Sequence, residues 1–153
     1  MAQTAPVTRE QLIAALNGDL AREYQAIIAY ITYSQVMKGA QYMSIAAQLV
    51  IHAGQELAHA LLIAQQVDYL GGVPTVTPKL VKSSKDAKVM LRADLDNEIE
   101  TIGHYRTRIR QADSLGEFAL SEILRRIVTE EQDHAIDLAT ALGIDVPAIP
   151  AGD

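Results

Sequence analysis

Apolar residues recur every three or four positions through four long stretches of the chain, and glycine and proline gather between them. Leu12, Leu16, Leu20, Ile27 and Ile31 mark the first stretch. With Thr8 as N-cap and Gln11 at the capping-box position, it predicts a helix over about residues 8–38, ended by Gly39. The second, rich in alanine, predicts a helix over about residues 42–70 that stops at Gly71-Gly72, with no proline and no strand-like alternation inside it. Ser84 is the expected cap of a third helix, about residues 85–112. The Asp113-Ser114-Leu115-Gly116 turn leads into a fourth, about residues 117–142, closed by Gly143. The tail, 144–153, holds two prolines and is too short for a fifth helix.

Residues 72–84 contain Pro74 and Pro78 and lack helical periodicity, so they read as an extended connection. About 13 residues at about 3.3 Å each reach roughly 43 Å, the length of a helix of about 29 residues. The connection can therefore cross a whole bundle, whereas the short turns join antiparallel neighbours. The expected architecture is all-α, two antiparallel helix hairpins joined by a long crossover.

With 153 residues, 49% of them apolar and only 5% aromatic, the chain has the size of one domain and the composition of helices. It has no cysteine, which excludes disulfides, thiolate zinc and iron–sulfur centres and leaves nitrogen and oxygen for any metal. A net charge of −6, with Arg9 the only base in the first ten residues, argues against nucleic acid as a partner. No apolar run is long enough for a membrane span and no leader pattern opens the chain, so a soluble cytoplasmic protein without a membrane partner is expected.

Glu56-Leu57-Ala58-His59 sets a carboxylate and an imidazole three residues apart, on one face of the second helix. Glu131-Gln132-Asp133-His134 repeats the pair on the fourth, and the first and third helices each carry one glutamate on an apolar face, Glu23 and Glu98. Four carboxylates balance two divalent ions inside a low-dielectric core, and an imidazole completes each ion. Such hard donors suit Fe2+ or Mn2+, with iron preferred. Without metal, four buried carboxylates would lack counter-charge at several kcal/mol each.

These motifs resemble bacterioferritin and the bacterioferritin-like mini-ferritins over about residues 16–142. The likeness includes Leu16-Asn17 before Glu23, Met90-Leu91-Arg92-Ala93-Asp94-Leu95 before Glu98, and Ile123-Leu124-Arg125 before Glu131. The resemblance implies a ferritin-like fold with a di-iron site. Glu23 and His59 would then be terminal ligands of one metal and Glu98 and His134 of the other, with Glu56 and Glu131 bridging. Tyr30, about 700° past Glu23 on the helix, falls on the metal-facing side as a candidate redox residue. Leu57 stands where the family has its haem-ligating methionine, so no haem is expected. Gln55 replaces an acidic residue, so the path by which iron enters is expected to differ. The family's short C-terminal helix is missing, which leaves a homo-oligomeric cage of 12 or 24 subunits, or a smaller assembly, open.

Other polar residues have plainer readings. Glu100 lies about 200° from Glu98 and Glu130 about 100° from Glu131, so both are expected to point away from the site, and His104, about 120° off, to lie at the surface or in packing. His52 shares the face of Glu56 and His59, either as packing or as an accessory iron or proton-transfer residue. Asp94 is a candidate hydrogen-bond partner for a ligand histidine. Met37, Met43 and Met90, like Tyr24, Tyr33, Tyr42, Tyr69 and Tyr105, read as core or interface residues.

Three functions fit. A ferroxidase would oxidise Fe2+ with O2 or H2O2 and store Fe3+ as mineral. A peroxidase or catalase would keep two Fe or Mn ions as a fixed cofactor. A metal-stabilised scaffold or shell cargo would use the tail, 145–153, as a docking peptide.

Overall fold

The Thr8 hydroxyl accepts from the Gln11 amide N–H at 3.1 Å while the Gln11 side chain accepts from the Thr8 N–H at 2.9 Å, so the first helix starts at the expected capping box. The computed structural model describes residues 6–150; residues 1–5 and the end of the expected tail, 151–153, lie outside them. Helices α1 (Arg9–Val36), α2 (Met43–Tyr69), α3 (Ala87–Ser114) and α4 (Phe118–Leu142) follow, with a short 3-10 turn at Ala40–Tyr42 and no strand among the described residues. None of these helices is long and apolar enough to cross a membrane.

Two boundaries differ from expectation. Met37 turns to extended backbone (φ −60°, ψ 128°), so α1 ends at Val36 and Gly39 precedes the 3-10 turn. Asp86, whose carboxylate accepts from the Val89 N–H at 3.0 Å, caps α3; the Ser84 hydroxyl instead accepts from the Asp86 N–H. A carboxylate at a helix N-terminus also meets the positive end of the helix dipole, which a hydroxyl does not. Gly143 closes α4 in the left-handed region, at φ 72°, as its position predicts.

The crossover is stitched to α1 in order along its length. Asn17 donates to the Val73 carbonyl and accepts from the Thr75 N–H, the Lys79 N–H reaches the Ala21 carbonyl, Gln25 donates to the Leu80 carbonyl, and the Tyr33 hydroxyl donates to the Lys82 carbonyl. It thus travels from the start of α1 to its end, and α3 begins there. The closest helix pairs are α1 with α2 and α3 with α4, followed by α1 with α3 and α2 with α4. Helices α1 and α4 run one way, α2 and α3 the other.

Apolar side chains fill the bundle in two separate clusters. One holds Tyr30, Tyr33, Leu49, Met90, Leu91, Leu95 and Leu138; the other holds Leu12, Leu16, Leu20, Ile63, Tyr105, Leu120 and Leu124. Each fully buried leucine contributes about 2 kcal/mol by leaving water. The buried charged residues Glu23, Glu56, His59, Glu98, Glu131 and His134 belong to neither.

The second hairpin repeats the first at an offset of 75 residues. Glu23 and Glu98, Tyr30 and Tyr105, Glu56 and Glu131, His59 and His134, Leu16 and Leu91, Leu20 and Leu95, and Leu49 and Leu124 all correspond. The described part of the tail returns to the bundle: Ile149 packs on the first cluster and Pro150 lies against Gly103.

Candidate metal centre

Helical phase turns one glutamate from each of α1 and α3, and a Glu-x-x-His pair from each of α2 and α4, into the layer between the two apolar clusters. All six side chains are buried. Donor atoms of Glu23, Glu56, His59 and Glu131 lie within 4.8 Å of one another, and so do those of Glu56, Glu98, Glu131 and His134. The two groups share Glu56 and Glu131.

Each imidazole turns Nδ1 inward. His59 Nδ1 is 3.0 Å from Glu56, 3.2 Å from Glu131 and 3.6 Å from Glu23; His134 Nδ1 is 3.0 Å from Glu56, 3.2 Å from Glu131 and 3.7 Å from Glu98. The outer nitrogens are held from the opposite helix. His59 Nε2 meets Glu130 at 2.9 Å, and His134 Nε2 meets Gln55 at 2.7 Å. Phenols cross as well: Tyr30 on α1 donates to Glu98 on α3, and Tyr105 on α3 donates to Glu23 on α1.

Burial raises every carboxyl, and the neighbours then separate them. Glu56 is pushed well above its usual range by burial and by the charges of Glu131 and Glu23. Glu131 rises to about 8 through burial and the charges of Glu98 and Glu23. For Glu98, burial is outweighed by hydrogen bonds from His134 and Glu131, which bring it down to about 2. Glu23 is likewise held low against burial, by Glu56 and His59. Burial opposes charge on the imidazoles, but Glu131 and Glu98 lift His134 to about 10, and Glu131, Glu23 and Glu56 raise His59 strongly. These shifts favour protons on Glu56, Glu131 and both imidazoles and charge on Glu23 and Glu98, a distribution with no net charge.

The donor set fits two divalent ions. Glu23 Oε2 and Glu98 Oε2 are buried and accept no hydrogen bond, an arrangement that costs energy unless a cation takes it up. Four carboxylates and two neutral imidazoles around two divalent ions are again neutral. The oxygen-rich set with one nitrogen per position suits Fe2+ or Mn2+.

Two neighbours, Glu130 and Asp94, differ from the sequence reading. Glu130 is 47% exposed, yet its carboxylate holds His59; a wheel drawn for α4 alone does not show that α2 lies on that side. Asp94 is buried beside the cluster without bonding either histidine, and burial together with the Glu98 charge raises it well above the usual range. His52 is fully buried, stacks on the His134 ring at 4.0 Å and bonds Asp137 through Nε2 at 3.0 Å. His104 and Glu100 pair with each other at the surface. Met37, Met90, Tyr33 and Tyr105 are buried, Tyr24 and Tyr42 partly so, and Met43 and Tyr69 are exposed.

Sequence reading missed the buried Asp19, which accepts from both Arg22 and Arg108. It also missed the roles of Tyr105, which the 75-residue offset applied to Tyr30 would have indicated, and of Gln55, which no sequence signal marks.

Residues 13–145 match the ferritin family, described as a ferritin-like domain. The chain belongs to the ferritin family. It is 28% identical over 127 residues to the bacterioferritin of Desulfovibrio desulfuricans, covering 82% of this chain and 71% of that one. A ferritin-like diiron-carboxylate protein of Bacillus anthracis superposes with a TM-score of 0.84 at 34% identity, over 88% of this chain and 96% of that one. A dodecameric thioferritin of Bacteroides fragilis, described as a bacterioferritin-related protein, superposes with a TM-score of 0.81 at 25% identity, over 90% and 87%. The ferritin-like bundle and the diiron-carboxylate class of its neighbours agree with a buried layer of four glutamates and two histidines.

Proposed function

We propose that this ferritin-family chain is a ferroxidase that takes two Fe2+ as substrate between Glu23, Glu56, His59, Glu98, Glu131 and His134. The single observation that carries this reading is the sharing of Glu56 and Glu131 by the two donor groups, which suits a pair of ions held side by side. Glu23 and His59 then complete one position, Glu98 and His134 the other. Each Fe2+ gives up one electron. The two electrons and two protons convert O2 to H2O2, or H2O2 to two waters, and the Fe3+ produced passes on for storage.

The chain's own part is binding and proton handling. Glu56, Glu131, His59 and His134 surrender their protons as metal arrives, and Tyr30 and Tyr105 keep Glu98 and Glu23 oriented. Storage requires a cage, and we place the chain in a homo-oligomer of 12 or 24 subunits in the cytoplasm. Met43, Val50, Leu57 and Leu61 form an exposed apolar stripe along α2, which favours burial against another subunit. Leu57 offers no sulfur, so haem is not part of the proposal.

Aerobic addition of Fe2+ to the purified protein tests the reading. Wild type is expected to give a fast rise in ferric absorbance and Glu56→Ala to lose it. Equal rates in both would remove the site assignment.

A further inference from the structure

The two halves of the centre match in every inner group and differ one atom further out. Each half has a terminal glutamate, an imidazole presenting Nδ1, the two shared glutamates and a tyrosine hydroxyl on the terminal glutamate. The inner donors give no reason for one ion to bind better than the other. At the outer nitrogen the repeat breaks, because Gln55 corresponds to Glu130 at the 75-residue offset. His59 Nε2 meets a carboxylate at 2.9 Å and His134 Nε2 meets a neutral amide at 2.7 Å.

Both partners hold Nε2–H outward and leave Nδ1 free for metal. Only the carboxylate adds negative charge to the imidazole it holds, making that ring a stronger donor. We infer that Glu130 makes the two positions unequal, so that a divalent ion fills the Glu23/His59 position first and the Glu98/His134 position second. The inference rests on the ligand assignment proposed above and goes beyond it by ordering the two ions.

The surrounding charges bear on the same balance. Arg22 and Arg108 lie on the Glu23 side and would work against a cation there, but both guanidinium groups are bonded to Asp19 and neither bonds a candidate ligand. Asp137, on the His134 side, bonds His52 rather than His134. His52 stacks on His134 without adding negative charge, whereas Glu130 sets a carboxylate against the outer nitrogen of His59.

Anaerobic titration with Co2+, followed by its visible absorption, reads the two steps without oxidation chemistry. Wild type should take up two ions per chain in two steps, the first about tenfold tighter. Glu130→Gln should weaken the first step by about that factor and merge the two, while Gln55→Glu should tighten the second. The variant His134→Ala should keep the tight step and His59→Ala the weak one. A single affinity in wild type, an unchanged first step in Glu130→Gln, or the tight step surviving in His59→Ala instead would overturn the ordering and leave the ligands standing. Failure to bind two Co2+, or uptake indifferent to both histidine variants, would bring down the ligand assignment and the ordering with it.

Discussion

The phenol of Tyr30 on α1 donates to the carboxylate of Glu98 on α3 at 2.5 Å, with both groups fully buried. Tyr105 makes the reciprocal bond to Glu23. The proposed redox role of Tyr30 takes the Glu98 carboxylate as the acceptor for the phenol proton. Tyr30→Phe is expected to slow Fe2+ oxidation severalfold while stability falls by only about 1–2 kcal/mol. Tyr105→Phe removes an equivalent bond and serves as the comparison. If both variants slow oxidation equally, Tyr30 acts as a positioning group alone; stopped-flow rates together with thermal melts separate the cases.

Metal uptake should release protons. Burial and neighbouring charges favour protons on Glu56, Glu131, His59 and His134 in the metal-free cluster, with Glu131 near 8 and His134 near 10. Two divalent ions displace all four, so unbuffered titration with Co2+ at pH 7 should release close to two protons per ion. Affinity should rise steeply from pH 6 to 8. Release of about one proton per ion would show that the carboxyls are already ionised without metal, and release near zero that the histidines are neutral as well.

Stability of the metal-free protein should fall as the solution becomes alkaline. Glu131 has a native pKa of about 8 against an ordinary 4.5, so it binds its proton more tightly folded than unfolded. Its contribution is complete below about pH 4.5 and lost as pH passes 8; that of His134 is complete below about 6.5 and lost toward 10. Glu98, held near 2, works the other way and loses its contribution only as pH falls from 4.5 toward 2. Glu131→Gln, a neutral substitute of the same shape, should therefore melt close to wild type at pH 4.5 and increasingly above it from pH 6 to pH 9. A lower melting temperature than wild type at pH 9 would contradict the assignment of a buried proton to Glu131.

The Asp19 network is a structural support below the cluster. Arg108 binds Asp19 through two nitrogens and also donates to Gln111. Arg108→Met leaves a buried carboxylate with one partner and is expected to cost about 3 kcal/mol in chemical denaturation. Asp19→Asn combined with Arg108→Met should cost less than the sum of the two single changes, since the double variant leaves no unpaired carboxylate.

Much of this was legible before any coordinates. Glu-x-x-His occurs twice at a spacing that forces both groups onto one helical face, and Thr8 with Gln11 and Gly143 have the chemistry their helix ends require. What escaped depends on which helix lies beside which. Glu130 points away from Glu131 on its own helix and meets His59 on α2, and the bond from Arg108 to Asp19 exists only because α1 and α3 lie side by side. The cap of α3 was misplaced because Ser84 and Asp86 are both good capping residues, and only backbone geometry distinguishes them.

The account turns on two irons held together and oxidised as a pair. Anaerobic addition of Fe2+ followed by Mössbauer spectra before and after one equivalent of H2O2 measures this directly. The prediction is saturation at two bound Fe2+ per chain, both converted to Fe3+ by that single equivalent, with the bound pair lost in Glu56→Ala. Saturation at one ion or none, or a bound pair that persists unchanged in Glu56→Ala, would contradict it.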